Sequence, residues 1–229
     1  MKNRSFSKGE LTRLVLTRAV PAFIILPLLF FVPAGTFNYW EAWVYIISLL
    51  IPMTAVFIYL IKNDPELLER RMKLKEKEKE QKLIIKASYP VFLLAFILPG
   101  LDHRFGWSNV SPAVVILALF CYFVGYILFF LVLRANSYAS RVIEVAVDQK
   151  VISTGPYAIV RHPMYLSMLM IYLFSPLALG SYWAMIPALL VIPVLIARIL
   201  NEEKVLIKEL PGYEEYTHKV RSRLFPKGW

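Results

Sequence analysis

The sequence predicts an all-α, polytopic membrane protein of about five to six transmembrane helices that ends in a helical hairpin. Three observations carry that reading. Hydrophobic residues make up 58% of the 229-residue chain and charged residues only 18%, where a soluble domain is nearer half and a quarter. The apolar residues are gathered into six blocks separated by charged connections. The basic residues concentrate in alternate connections, as they do in proteins oriented by a lipid bilayer.

The blocks run Ala19–Phe37, Ala42–Ile61, Ala87–Leu101, Pro112–Leu133, Pro163–Leu179 and Tyr182–Leu200. A spanning helix needs about 20 residues, so the first, second, fourth and sixth qualify directly. The third is short and holds Pro90 and Pro99, which predicts a tilted, extended or partly inserted helix. The fifth joins the sixth through Gly180 and Ser181, a turn signal that makes the pair a hairpin. The first block lacks a small-residue cleavage site and reads as a retained anchor.

The N-terminal tail carries Lys2, Arg4, Lys8, Arg13 and Arg18, and the 62–86 linker carries nine basic residues. The first connection between blocks has none, and residues 102–110 have only Arg104. Arg134, Arg141, Lys150 and Arg161 follow in the 134–162 stretch. Both termini and the site are therefore expected at the cytoplasmic face of a multi-pass membrane protein, the inner membrane in a bacterial host. Linker residues 69–86 alternate charge at helical spacing, as in Glu76–Lys79 and Glu78–Lys82, which predicts a solvated helix along that surface. Residues 1–133 form an N-terminal membrane unit and 134–229 a cytoplasm-facing unit that carries the chemistry.

Composition also excludes classes. The net charge of +10 sits beside apolar blocks, which suits anionic lipid head groups and argues against nucleic acid. The single cysteine, Cys121, excludes an intrachain disulfide and a thiolate metal cluster. No metal is expected. Nine glycines without a G-x-G pair exclude a Rossmann-type cofactor site.

Two polar stretches stand out. In Gln149-Lys150-Val151-Ile152 through Gly155-Pro156-Tyr157 to Arg161-His162-Pro163-Met164-Tyr165, His162 is pushed out of helical dihedrals by Pro163. Pro163 then opens the fifth helix. The first N–H groups of that helix attract a carboxylate or phosphate. In the second stretch, Arg198 and Glu202 share one helix face at the end of the sixth block, a costly place for charge that suggests function. A hairpin returns both stretches to one side. Leu210-Pro211-Gly212 then breaks the helix, and Tyr213–Arg221 reads as a short amphipathic, interfacial piece.

Together, Gly155-Pro156-Tyr157, Arg161-His162-Pro163-x-Tyr165, Arg198-x-x-x-Glu202-Glu203, Gly212-Tyr213-x-x-Tyr216 and Arg223-x-x-Pro226 resemble the isoprenylcysteine carboxyl methyltransferase family, which overlaps in pattern with phospholipid N-methyltransferases. Asn63-Asp64-Pro65-Glu66-Leu67-Leu68 and Leu101-Asp102-His103-Arg104-Phe105-Gly106-Trp107 look like its bacterial branch, extending the resemblance over most of the chain. The resemblance implies S-adenosylmethionine as cofactor. It implies a cofactor pocket of Gln149, Lys150, Val151, Ile152, Tyr157, His162, Pro163, Met164, Tyr165 and Glu202. Arg198 would bind the acceptor, with Arg198 and Glu202 the catalytic pair. The expected reaction is carboxyl O-methylation of an isoprenylcysteine-like or other lipophilic substrate, small or prenylated, reaching the site from among the membrane lipids. The alternatives are phospholipid N-methylation, a membrane sterol-type reductase and a non-enzymatic membrane subunit.

Overall fold

A computed structural model describes residues 8–72 and 79–229. Among them there are no strands, and the helices are α1 (Lys8–Ala34), α2 (Trp40–Asn63), α3 (Pro65–Arg71), α4 (Lys79–Phe105), α5 (Pro112–Ala135), α6 (Pro163–Ala178), α7 (Met185–Leu189), α8 (Val191–Glu209) and α9 (Tyr213–Lys219). Five segments are long and apolar enough to cross a membrane: Gly9–Ala34, Trp40–Asn63, Lys82–Phe105, Pro112–Ala135 and Met185–Glu209. Pro163–Ala178 is apolar but shorter. The protein is thus the all-helical polytopic membrane protein that the apolar blocks predict.

Local chemistry sets the breaks. Asp64 ends α2 and starts α3: its N–H bonds the Leu60 carbonyl, and its side chain accepts from Leu67 N at 2.9 Å, an N-cap backed by Pro65 at the first helical position. The third apolar block extends into both flanks to make a 27-residue α4 with Pro90 and Pro99 inside it. The sixth block does not start its helix at Tyr182. Met185–Leu189 and Val191–Glu209 are separate helices that meet at Leu190, because Pro193 has no N–H for the Leu189 carbonyl.

The polar connections gather at two ends. At one, Asp102 is 1% exposed and accepts from Ser108 N at 2.7 Å, Ser108 Oγ at 2.6 Å and Ser181 Oγ. Tyr39 Oη donates to the Leu179 carbonyl at 2.5 Å and its ring stacks on His103. These bonds tie the α6–α7 turn to the start of α2 and the end of α4. At the other end, Arg18 donates to the Met72 carbonyl, Arg70 donates to Ser137 O at 2.7 Å, and residues 161–162 pair with 222–223. The N-terminal side of α1 and the C-terminal segment therefore share one end, as six traverses require, with α6 as the short one.

Residues 69–71 depart from the expected solvated helix over 69–86, because they close the packed helix α3. Leu67 and Leu68 of α3 are fully buried against Leu60, Val15 and Leu133, so α3 is pinned to the bundle by its apolar face. Residues 79–86 are the first turns of α4, continuous with the span. Lys2, Arg4, Lys73, Lys75, Lys77 and the pairs Glu76–Lys79 and Glu78–Lys82 fall on or involve positions outside the described residues or side chains.

Two glycines let helix backbones touch. A Cβ on Gly125 of α5 would stand 3.1 Å from Met170 Cβ and 3.2 Å from Ser167 O in α6. One on Gly100 of α4 would stand 2.5 Å from the Phe30 carbonyl oxygen of α1 and 3.1 Å from Ala34 N. Backbone cannot yield cheaply, as in other small-residue helix contacts in membranes. Gly100→Ala should destabilise the protein by about 1–3 kcal/mol, read as a lower unfolding temperature in detergent. Gly9→Ala, whose Cβ meets nothing within 4 Å, should not lower it. Equal transitions for the two variants would contradict the close α1–α4 contact.

Candidate active site

The end that carries the start of α1 and the C-terminal segment encloses a cavity of about 650 Å³, within the range of small-molecule sites. Its walls begin with α6. His162 is not helical (φ −122°, ψ 58°), and Pro163 takes the first helical position, as the His-Pro step predicts. The N–H groups of Met164 and Tyr165 precede the first intrahelical bond, from Leu166 N to the His162 carbonyl.

Tyr165 lies within the first turn, and its hydroxyl donates to Glu202 Oε2 at 2.5 Å. This bond joins the start of α6 to the end of α8, the juxtaposition a hairpin requires. Arg198, one turn earlier on α8, also borders the cavity and reaches the Arg141 carbonyl at 3.4 Å.

Glu203 points away from Glu202, as consecutive helical residues do. Its carboxylate is 5% exposed. Oε1 accepts from Arg161 Nε at 2.8 Å and faces His162 Nε2 at 3.1 Å, and Oε2 accepts from Arg223 Nε at 2.8 Å. Arg161 Nη1 donates further to the Val220 and Arg221 carbonyls, each at 2.8 Å. The backbone N–H groups of Arg161 and His162 donate to Ser222 O and Arg223 O at 2.9 Å. One buried carboxylate thus holds the entry to α6, the end of α8 and the C-terminal segment in one place.

The remaining polar wall is the 136–157 connection. Tyr157 sits in a 3-10 turn, Gly155–Ala158; its hydroxyl accepts from Asn136 Nδ2 at 2.9 Å, and its carbonyl accepts from Tyr216 Oη at 2.7 Å. Burial pushes the Tyr157 phenol up to about 12, so it stays protonated at neutral pH and acts as a hydrogen-bonding group and not as a base. Helix α9 turns Tyr213 and Tyr216 inward, both buried, against Val145, Val151 and Leu206. It is a packed buttress of this wall and not only the interfacial piece its amphipathic pattern suggests.

Away from this polar mouth the cavity becomes apolar. Tyr89, Phe92 and Phe96 of α4, Met168 and Tyr172 of α6, and Val194 and Leu195 of α8 line it.

Of the residues expected from sequence, Gln149, Lys150, Val151, Ile152, Tyr157, His162, Met164, Tyr165, Arg198 and Glu202 all border the cavity. Pro163 does not; it is buried in the helix start and shapes the wall from behind. His162 borders the cavity but also faces Glu203, so one ring edge belongs to the ion cluster. Sequence reading missed the role of Glu203, although it stands beside Glu202. It also missed Arg71, which lines the cavity. The signal for Arg71 was present: it lies four residues after Leu67, on the face that α3 buries. The aromatic wall of α4 had no such signal, because Phe92 and Phe96 look like any lipid-facing aromatics.

Residues 113–211 match the model of the phospholipid methyltransferase family. The matched stretch runs from α5 to the break after α8 and covers a little under half of the chain. That stretch is thus similar to the phospholipid methyltransferases, a resemblance that supports a membrane methyltransferase in general. The N-terminal motifs at 63–68 and 101–107 lie outside the match; in the fold they cap α3 and pin the far end of the bundle. No curated protein matches the chain.

The ion cluster has a direct consequence. Glu203→Ala leaves Arg161 buried without its counter-charge and His162 without its carboxylate partner, a loss of about 3–5 kcal/mol for a buried pair. Trypsin should then cut after Arg221 and Arg223 well before the helices are digested, while the wild type resists. Equal cleavage rates would contradict the clamp.

Proposed function

We propose that this membrane methyltransferase transfers the methyl group of S-adenosylmethionine to a carboxylate oxygen on a lipophilic acceptor. The observation that supports it most is a single cavity with two chemistries. Its mouth joins Tyr157, Tyr165, Arg198 and Glu202, and its interior is an aromatic slot between α4, α6 and α8. A polar cofactor with an ammonium, a sulfonium and a carboxylate suits the mouth, and a hydrocarbon chain suits the slot.

The residues fit that cofactor. Glu202 offers a carboxylate to its ammonium or ribose hydroxyls, with Tyr165 fixing the orientation of that carboxylate through the 2.5 Å bond. The N–H groups of Met164 and Tyr165 at the start of α6 suit a carboxylate. The 149–152 segment offers backbone groups, and Tyr157 and His162 offer ring faces. When bound, the cofactor supplies an already activated methyl on a sulfonium.

This chain then has little chemistry left to perform. A carboxylate acceptor is ionised at neutral pH and needs no general base, only alignment and exclusion of water. Arg198 can hold such a carboxylate by two parallel hydrogen bonds. The protonated Tyr157 neither takes a proton nor repels an anion. As the methyl crosses, the acceptor loses its negative charge and the donor its positive charge, so a low-polarity site favours the transfer.

A second reading, N-methylation of a phospholipid amine, draws support from the description of the matched family. It fits the cavity less well. Arg71, Arg141 and Arg198 all line it, an environment that repels an ammonium head group, and the amine must also shed a proton. The reductase and non-enzymatic alternatives gain nothing from a match to methyltransferases.

Incubating the purified protein with methyl-labelled S-adenosylmethionine and farnesyl thioether carboxylates or membrane lipids decides between the two. The expected product releases its label in mild base, as methyl esters do; base-stable label in phospholipid would establish N-methylation. Glu202→Ala should weaken cofactor binding by about ten- to hundredfold, the range for a hydrogen bond to a charged group. Unchanged binding in a titration would remove Glu202 from the site.

A further inference from the structure

We infer that Arg71 is a second carboxylate receptor of this cavity beside Arg198, a ligand-binding residue contributed by the short helix α3 from outside the matched 113–211 segment. The inference rests on the methyltransferase reading above, in which one ligand, and by the favoured reaction both, carries a carboxylate.

The fold delivers Arg71 to this spot by plain helical spacing. Asp64 caps α3, and Leu67 and Leu68 are buried beneath it. Arg71, one turn beyond Leu67, is carried inward with them. Its guanidinium donates through Nη1 to the Ala139 carbonyl at 3.1 Å and lies 3.5 Å from Met164 Sδ. It also sits over the Phe129 ring, 5.0 Å from the centroid. Met164 belongs to the first turn of α6, so the cation stands beside the N–H groups that open that helix. Two independent sources of positive potential, a guanidinium and a helix start, converge on one part of the cavity wall.

The charge around Arg71 is unusual for an enclosed arginine. Among the described residues no carboxylate pairs with it. The charged group that acts on it most strongly is another cation, Arg141. Burial, with Arg141 adding to it, pushes Arg71 down to about 10, which leaves it positive at neutral pH. Enclosed cations are ordinarily paired with an anion. By contrast, Arg70 next to it pairs with Glu66 in the ordinary surface manner, as do Arg161 and Arg223 with Glu203 inside the protein. A guanidinium that borders a ligand cavity, with no carboxylate partner among the described residues, is suited to receive one from a ligand.

The cofactor's α-carboxylate is the expected occupant, because Arg71, Tyr157 and Met164 lie together on the wall assigned to the cofactor. The acceptor's carboxylate is the other source of the same chemistry. The two are separable by titrating the full-length protein in detergent with S-adenosylmethionine and with its decarboxylated analogue, which keeps the ammonium and sulfonium.

For Arg71→Met, affinity for S-adenosylmethionine should fall about ten- to hundredfold, while affinity for the decarboxylated analogue changes less than about twofold. Arg71→Lys should recover part of the loss, and Arg70→Ala should bind both ligands as the wild type does. If instead cofactor affinity holds and KM for a farnesyl thioether carboxylate rises tenfold with kcat kept, the receptor role stands with the acceptor as its source. Equal loss for both cofactor forms would mark Arg71 as a scaffold for the Ala139 loop and overturn the inference. So would an unchanged affinity together with an unchanged KM. A wild-type protein that binds neither form would refute the methyltransferase reading itself, a result distinct from any difference between variants.

Discussion

Glu203 stands at the end of α8 with almost no access to solvent, and its two oxygens are shared among Arg161, His162 and Arg223. Burying a carboxylate costs several kcal/mol unless its charge and lone pairs are met. Here they are met by groups from the 161–162 connection and from the C-terminal segment, so three stretches far apart in sequence must arrive together for any of them to be satisfied. The arrangement sets the direction of the neighbouring residue. With Glu203 turned toward the cation cluster, Glu202 must face the other way, into the cavity, where Tyr165 meets it. The geometry of the mouth is therefore a by-product of a charge that has no cheaper place to go.

The opposite end of the bundle works by the same rule with weaker groups. Asp102 gathers Ser108 and Ser181, and Tyr39 takes the Leu179 carbonyl. This fixes the turn between α6 and α7, so the short α6 reaches from one polar end to the other. Between the two ends the packing is mainly apolar, with a hydrogen bond between Tyr45 Oη and Ser175 Oγ and with Gly100 and Gly125 letting backbones approach. The cavity opens where α4, α6 and α8 meet the polar end, which is why one wall is charged and the other aromatic.

Much of this was legible in the sequence because it depends on local rules. Apolar block lengths gave the spans, His162-Pro163 gave the start of α6, and Arg198 with Glu202 gave a charged face at the end of α8. What stayed hidden depends on tertiary partners. Nothing local distinguishes Glu203 from Glu202 until the C-terminal arginines fold back against it. Arg71 was counted with the linker's solvated charges because the linker was read as one surface helix; the Asp64 cap and the buried Leu67–Leu68 pair make its first part a packed element. The inward turn of α9 likewise follows from packing that no single segment encodes.

The central claim is that two segments, the approach to α6 and the exit of α8, enclose one cofactor. Ultraviolet cross-linking of labelled S-adenosylmethionine to the protein in membranes, followed by peptide mapping, tests it directly. The account predicts label in both the 149–165 and 198–206 peptides, suppressed together by excess S-adenosylhomocysteine. Label confined to the 34–40 and 102–111 connections at the opposite end of the bundle would contradict it.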